Sequence, residues 1–192
     1  MLRQLKYYFQ PVEILIMIFA AMHSPLAVWF VFIILDTFVI AGDFLFKDDS
    51  SDLKVKSPIL LNFSLYLHFP LLIVLIYFSM ILIQFHADSL LDYIGISLML
   101  GLTIGSAAVN VGHELTHQTK NPIKLFIGNW LYAIACEPFF VIEHVYGHHK
   151  NVGLLKDPAT ARRGENIYAF LFRSTYNQII SSWKIESKRI EK

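Results

Sequence analysis

With 192 residues, 55% of them hydrophobic and 16% charged, the chain is too apolar for an ordinary soluble domain. Its net charge of +1 carries little information by itself, and no nucleic-acid partner is expected. The single Cys136 excludes an internal disulfide and, in its apolar surroundings, reads as a small buried hydrophobe.

The apolar residues come in long runs. No Asp, Glu, Lys or Arg occurs from Ile14 to Leu35, from Ser57 to Ala87 or from Tyr93 to His113. A bilayer core takes roughly 20 helical residues, and each run reaches that length. The expected fold class is therefore all-α, a multi-pass transmembrane helix bundle. A buried core helix of a soluble protein could explain one such run, but three in so short a chain weigh against it. No small-residue cleavage site accompanies the first run, so a signal peptide is not expected.

In chain order, residues 1–10 form a polar and aromatic head, and an apolar stretch from Pro11 to Phe46 is broken at Ser24-Pro25. Proline costs a helix interior about 3 kcal/mol, so the break marks either a turn between two short helices or a kink in one. A charged loop follows, with Asp43, Lys47, Asp48, Asp49, Asp52, Lys54 and Lys56. A second apolar region covers about 58–85, and a third runs from about 90 into a histidine cluster. The loop near Gln84–Asp92 lacks Lys and Arg whereas 47–56 has three lysines. The positive-inside tendency then predicts that the third helix ends, with its histidines, on the cytoplasmic side. The apolar stretch 122–142 is interrupted by Gly128, Asn129, Glu137 and Pro138. Crossing the bilayer straight, it would separate the two histidine clusters, so a shared site requires it to re-enter or lie along the surface. Residues 150–192 carry nine Lys or Arg against four Asp or Glu, which suits a cytoplasmic, membrane-adjacent segment; its basic residues either meet anionic headgroups or an acidic partner, or form a solvated face. Residues 1–192 are expected to form a single membrane domain.

Five of the eight histidines fall between positions 113 and 149. His113 and His117 lie in Gly-His-Glu-Leu-Thr-His; His144, His148 and His149 lie in Glu-His-Val-Tyr-Gly-His-His. Positions i and i+4 share a helix face, so His113 with His117, and His144 with His148, can each grip one ion. His149 is rotated by about 100° from its neighbour and could reach a second metal. Imidazole is a strong neutral ligand for iron, zinc and copper, and polar residues at membrane depth are costly without a purpose. A lone membrane histidine is usually a hydrogen-bonded packing residue; five at repeated spacing point to metal. Glu114 and Glu143 either orient imidazoles or are solvated side chains. His113-Glu114-Leu115-Thr116-His117 also has the H-E-x-x-H form of a zinc protease, with Glu114 as general base, although such a site has no use for five histidines.

The blocks Asn110–His117, Phe139–His149 and Asp157–Phe170 together resemble the integral-membrane alkane 1-monooxygenases, relatives of the membrane fatty-acid desaturases. The Asp-Pro-Ala…Gly-Glu…Tyr block from Asp157 through Glu165 to Tyr168 separates this family from desaturases. The resemblance extends to Trp183, and more loosely to Leu35-Asp36, His68 and Pro70. It implies a desaturase/hydroxylase-like bundle with cytoplasmic-side histidine clusters in a bacterial inner membrane. It implies two Fe ions held by His113, His117, His144, His148 and His149, and no further catalytic residue. It also implies O₂-dependent hydroxylation of the terminal carbon of an alkane or similar apolar chain, with electrons from a rubredoxin-type donor and its NADH-dependent reductase. Asp157, Glu165 and Arg173 are expected to be structural supports. Gln118 stands where the family often has a basic residue. Family members continue with further ligands after this point, so the chain is expected to be the amino-terminal part of such a domain, incomplete alone. Alternatives are a fatty-acid desaturase or other lipid hydroxylase, a membrane zinc protease, and an inactive membrane fragment.

Overall fold

A computed structural model describes residues 2–45 and 58–191, and among them every regular element is helical. The charged loop expected at 47–56 lies outside the described residues. The chain divides into two compact units, Met1–Val111 and Gly112–Lys192.

In the first unit a 3₁₀ turn over Leu2–Tyr8 leads into α1 (Phe9–Ala21), followed by α2 (Pro25–Leu45), α3 (Pro58–His86) and α4 (Leu90–Thr116), whose last turn enters the second unit. The Ser24-Pro25 break is a turn and not a kink. Ala27 N–H donates to Ser24 Oγ at 3.1 Å, and Pro25 occupies the first helical position, where its missing N–H is no loss. Helix α1 packs on α3 and α2, and α4 packs on α2 and α3. Ser89 and Asp92 start α4 with a reciprocal capping box.

Helices α2, α3 and α4 are each long and apolar enough to cross a bilayer, at 21, 29 and 27 residues. Their apolar side chains mostly face outward: only 11% of the most apolar window of α2 is buried. Leu26, Phe30, Ile40 and Phe44 are exposed while Val28 is its one buried residue. In water that surface would drive aggregation; in lipid it is the solvated face, and the protein is integral to a membrane. His68, buried in α3, has Nδ1 at 2.9 Å from the Ser64 carbonyl and Nε2 at 3.2 Å from Gln10 Oε1. It is a satisfied packing residue.

The second unit holds the end of α4, α5 (Pro122–Ile134), α6 (140–151) and α7 (Ile167–Ile190). Asn121 caps α5 through the N–H groups of Ile123 and Lys124, both at 3.1 Å. At 13 residues, α5 is about 20 Å long, too short to cross a core of about 30 Å. Cys136 stops it with φ of 61°, a left-handed turn that points the side chain outward. Cys136 is exposed, correcting the expectation of a buried hydrophobe; helix termination outweighs the apolar character of its neighbours.

Small residues let the end of α4 approach α5 closely. A Cβ on Gly128 would strike Thr116 and Gly112 O, and a Cβ on Gly112 would press on the Tyr132 ring. In the first unit Gly95 plays that part against the Trp29 indole, whose Nε1 donates to Leu91 O at 3.1 Å. Gly95→Val is expected to destabilise the protein by about 1–3 kcal/mol, read as a lowered unfolding midpoint in detergent. Gly101→Val, where a Cβ meets nothing within 4 Å, should leave that midpoint nearly unchanged.

Candidate metal centre

The last turn of α4 and the middle of α6 bring the two histidine clusters together. His113 Nε2 lies 2.8 Å from His144 Nε2 and 3.3 Å from His117 Nε2, and His149 Nε2 lies 3.0 Å from His144 Nε2. The ligating atoms of His113, His117 and His144 all fall within 4.8 Å of one another. A neutral Nε2 offers either one N–H or one lone pair. His113 and His144 each have two imidazole nitrogens in reach, so well-formed hydrogen bonds cannot satisfy every contact. Two nitrogens bound at about 2.0–2.1 Å to one ion lie about 2.9–3.4 Å apart, close to the spacings observed. The donor set fits a cation that prefers imidazole.

Both histidine-bearing helices carry a π turn, over Gly105–Val109 in α4 and Glu143–His148 in α6, a feature frequent at functional sites. The second changes the pairing expected from an α-helix. In a π turn i and i+5 come into register, so His149 rather than His148 meets His144 nitrogen to nitrogen, while His148 stacks on the His144 ring at 5.5 Å. Phe140 stacks on the other side of His144 at 4.9 Å and in turn on Tyr132 at 4.7 Å. Burial, reinforced by the surrounding imidazoles, pushes the His144 pKa down to about 4. Its ring is thereby neutral, the form that ligates.

His148 turns Nδ1 toward Asp157 Oδ2, 2.9 Å away. Asp157 is only 1% exposed and also accepts from Thr160 Oγ1 and Ala159 N–H. Burial raises its carboxyl, but these hydrogen bonds prevail and hold it below the usual range. A carboxylate taking the Nδ1 proton leaves Nε2 as the donor atom. Expected as a structural support, Asp157 is thus also in contact with a candidate ligand. The signal in sequence was Asp-Pro-Ala-Thr, an Asx-type turn in which the carboxylate binds backbone two residues on.

Arg173 secures the loop that carries Asp157. Its Nε and one Nη form a two-pronged pair with Glu165, while the Nη groups also reach the Pro158 carbonyl at 3.2 Å and the Thr160 carbonyl at 3.1 Å. The hydrogen bond from Arg173 holds the Glu165 carboxyl down at about 2. Glu165 and Arg173 are supports, as expected. The two acids beside the ligands differ. Glu114 is exposed. Glu143 is 1% exposed, accepts from Ser181 Oγ at 3.1 Å, and has a second carboxylate oxygen without a hydrogen-bond partner; burial raises its pKa. A Cβ on Gly147 would strike this carboxylate, so Gly147 is what makes room for it. With Phe139, Phe140, His144 and His148, Glu143 lines a cavity of about 430 Å³.

The fatty acid desaturase family model matches residues 88–191, more than half of the chain and the whole of this site. The chain belongs to the fatty acid desaturase family. Within that family it is similar to alkane 1-monooxygenases. One from Ectopseudomonas oleovorans is 36% identical over 104 residues, which is 54% of this chain and 25% of that protein. Alkane 1-monooxygenase 1 of Alcanivorax borkumensis is 35% identical over 101 residues, 53% of this chain and 24% of the relative. Alkane 1-monooxygenase 1 of Pseudomonas aeruginosa is 29% identical over 158 residues, 78% of this chain and 41% of the relative. The chain thus spans well under half the length of these curated relatives.

In this desaturase-family chain, Asp157→Ala is expected to weaken metal retention about 10–100-fold, measured by competition with a chelator, with helicity retained. The Glu165–Arg173 pair adds an acid dependence. The Glu165 pKa is lowered from 4.5 to about 2, so its stabilisation is complete above 4.5 and disappears as pH falls toward 2. Arg173→Lys, which cannot reproduce the planar fork, should flatten that part of a pH–stability profile followed by circular dichroism.

Proposed function

We propose that the protein is a membrane di-iron monooxygenase that hydroxylates the terminal carbon of alkanes or similar apolar chains. The observation that carries this reading is the run of contacting Nε2 atoms through His117, His113, His144 and His149, on a chain whose relatives are named alkane 1-monooxygenases. On this reading residues 1–192 are the amino-terminal part of one such membrane domain, with the clusters at the cytoplasmic face of a bacterial inner membrane.

Iron, when bound, supplies the redox chemistry with O₂ that zinc lacks. The residues of this chain bind and orient. His113, His117 and His144 would offer nitrogens to a common ion, His149 stands beside His144 within reach of a second, and His148 offers Nε2 while its Nδ1–H is held by the Asp157 carboxylate. Phe140, stacked on His144 and backed by Tyr132, covers one face of that ring and limits water there. Five imidazoles are too few for two irons, so the remaining ligands come from outside 113–149. The outward apolar faces of α2, α3 and α4 suit a protein that draws its substrate from the bilayer, where alkanes and lipid chains partition. Electrons would come from a rubredoxin-type donor served by an NADH-dependent reductase.

Fatty-acid desaturation is the second reading, favoured by the family match itself. A zinc protease is disfavoured by that family and by a fourth imidazole, His149, in contact with His144 and His117.

The test is to express the whole membrane domain to which residues 1–192 belong on this reading, with a rubredoxin, its reductase, NADH and a medium-chain alkane, and to measure bound metal and products. Bound iron and a terminal alcohol are expected, both lost in His144→Ala, which removes contacts to His113 and His149 together. An alkene product would move the reading to desaturation. Zinc without iron, or a product unaffected by His144→Ala, would refute it.

A further inference from the structure

Helix α7 has two unlike sides. Ser174 and Ser182 are buried against the rest of the second unit, and Ser181 hydrogen-bonds Glu143. On another side Tyr168, Phe172, Tyr176, Ile179, Trp183 and Ile190 are exposed by 74%, 81%, 66%, 46%, 76% and 78%. At about 100° per residue these six project within an arc of about 80° along the whole helix. Scattered exposed apolar residues need no explanation, but an aligned stripe of this size marks a surface that something covers.

The chemistry of the stripe identifies the cover. Three of its six members, Tyr168, Tyr176 and Trp183, join an apolar body to a polar tip, as side chains enriched at the boundary between hydrocarbon and headgroups do. At the same 100° per residue, exposed Lys184 lies about 80° beyond one edge of the stripe and exposed Arg189 about 60° beyond the other. Long cationic side chains extend their stems along an apolar surface and place the charge at phosphate level. Glu186, which falls within the arc, is paired with Arg189 at 2.6 Å. An arc of aromatic tips bounded by cations is the pattern of a helix lying in a membrane interface. We infer that α7 lies along the bilayer surface, its Tyr168–Ile190 stripe in the interfacial zone and Lys184 toward anionic headgroups. This makes the helix that clamps the Asp157 loop also a membrane contact. The inference stands on the membrane character of the chain and does not depend on the identity of the metal or the reaction.

Site-directed spin labelling tests it. Phe172→Cys, Tyr176→Cys, Trp183→Cys and Lys184→Cys, each in a Cys136→Ser background, are labelled and reconstituted in phosphatidylcholine–phosphatidylglycerol vesicles. Circular dichroism checks the helicity of each. At 172, 176 and 183, collisions with O₂ are expected to exceed those with a water-soluble nickel chelate several-fold, with the order reversed at 184. If the chelate reaches 172 and 176 as readily as 184, the stripe faces water and the inference fails. It fails equally if both reagents are excluded at all three positions, because protein then covers the stripe.

Discussion

Lone pairs aimed at one another repel unless something positive stands between them, and the second unit is organised around that constraint. Nε2 atoms of four imidazoles stand in a row of three contacts of 2.8–3.3 Å, in which His113 and His144 each face two partners with a single N–H or lone pair. The surrounding structure keeps them there. Gly112 and Gly128 allow α4 and α5 to cross closely, the π turn over Glu143–His148 brings His144 and His149 into register, and Phe140 fixes the plane of the His144 ring. Asp157 sets the tautomer of His148, and Arg173 ties down the loop that delivers Asp157. A cation that favours imidazole turns a strained cluster into a bound one, in the way that metal binding and folding are linked in other sites.

The first unit obeys a different solvent. Its helices bury few of their apolar residues, and the buried His68 finds its partners within the unit, in Ser64 and Gln10. Lipid around α2, α3 and α4 accounts for a surface that water would not tolerate.

Much of this was legible in the amino-acid sequence. The charge-free runs from Ser57 and from Tyr93 marked two of the long helices, because length and hydropathy decide whether a helix can span a bilayer. The run from Ile14 to Leu35, by contrast, is divided by the turn at Ser24-Pro25 between α1 and α2. The paired histidines, with the blocks around them, pointed to the family and to the residues that converge. The register of the second cluster was not legible: i, i+4 spacing assumes an α-helix, and a π turn leaves no mark in residue spacing. Cys136 was misread because one left-handed residue at a helix end overrides the apolar character of its neighbours. The contact between Asp157 and His148 was hidden for another reason. Nine residues separate the two, and the turn that brings them together depends on Thr160, the Ala159 N–H and the Arg173 clamp acting jointly.

X-ray absorption at the iron edge, on protein loaded with iron in membranes, tests the central claim most directly. Coordination dominated by imidazole nitrogen is expected, with ring scattering that declines in His144→Ala as it does in His117→Ala. Coordination dominated by oxygen or sulfur, or a spectrum that responds to His117→Ala and not to His144→Ala, would mean that the two clusters do not share an ion.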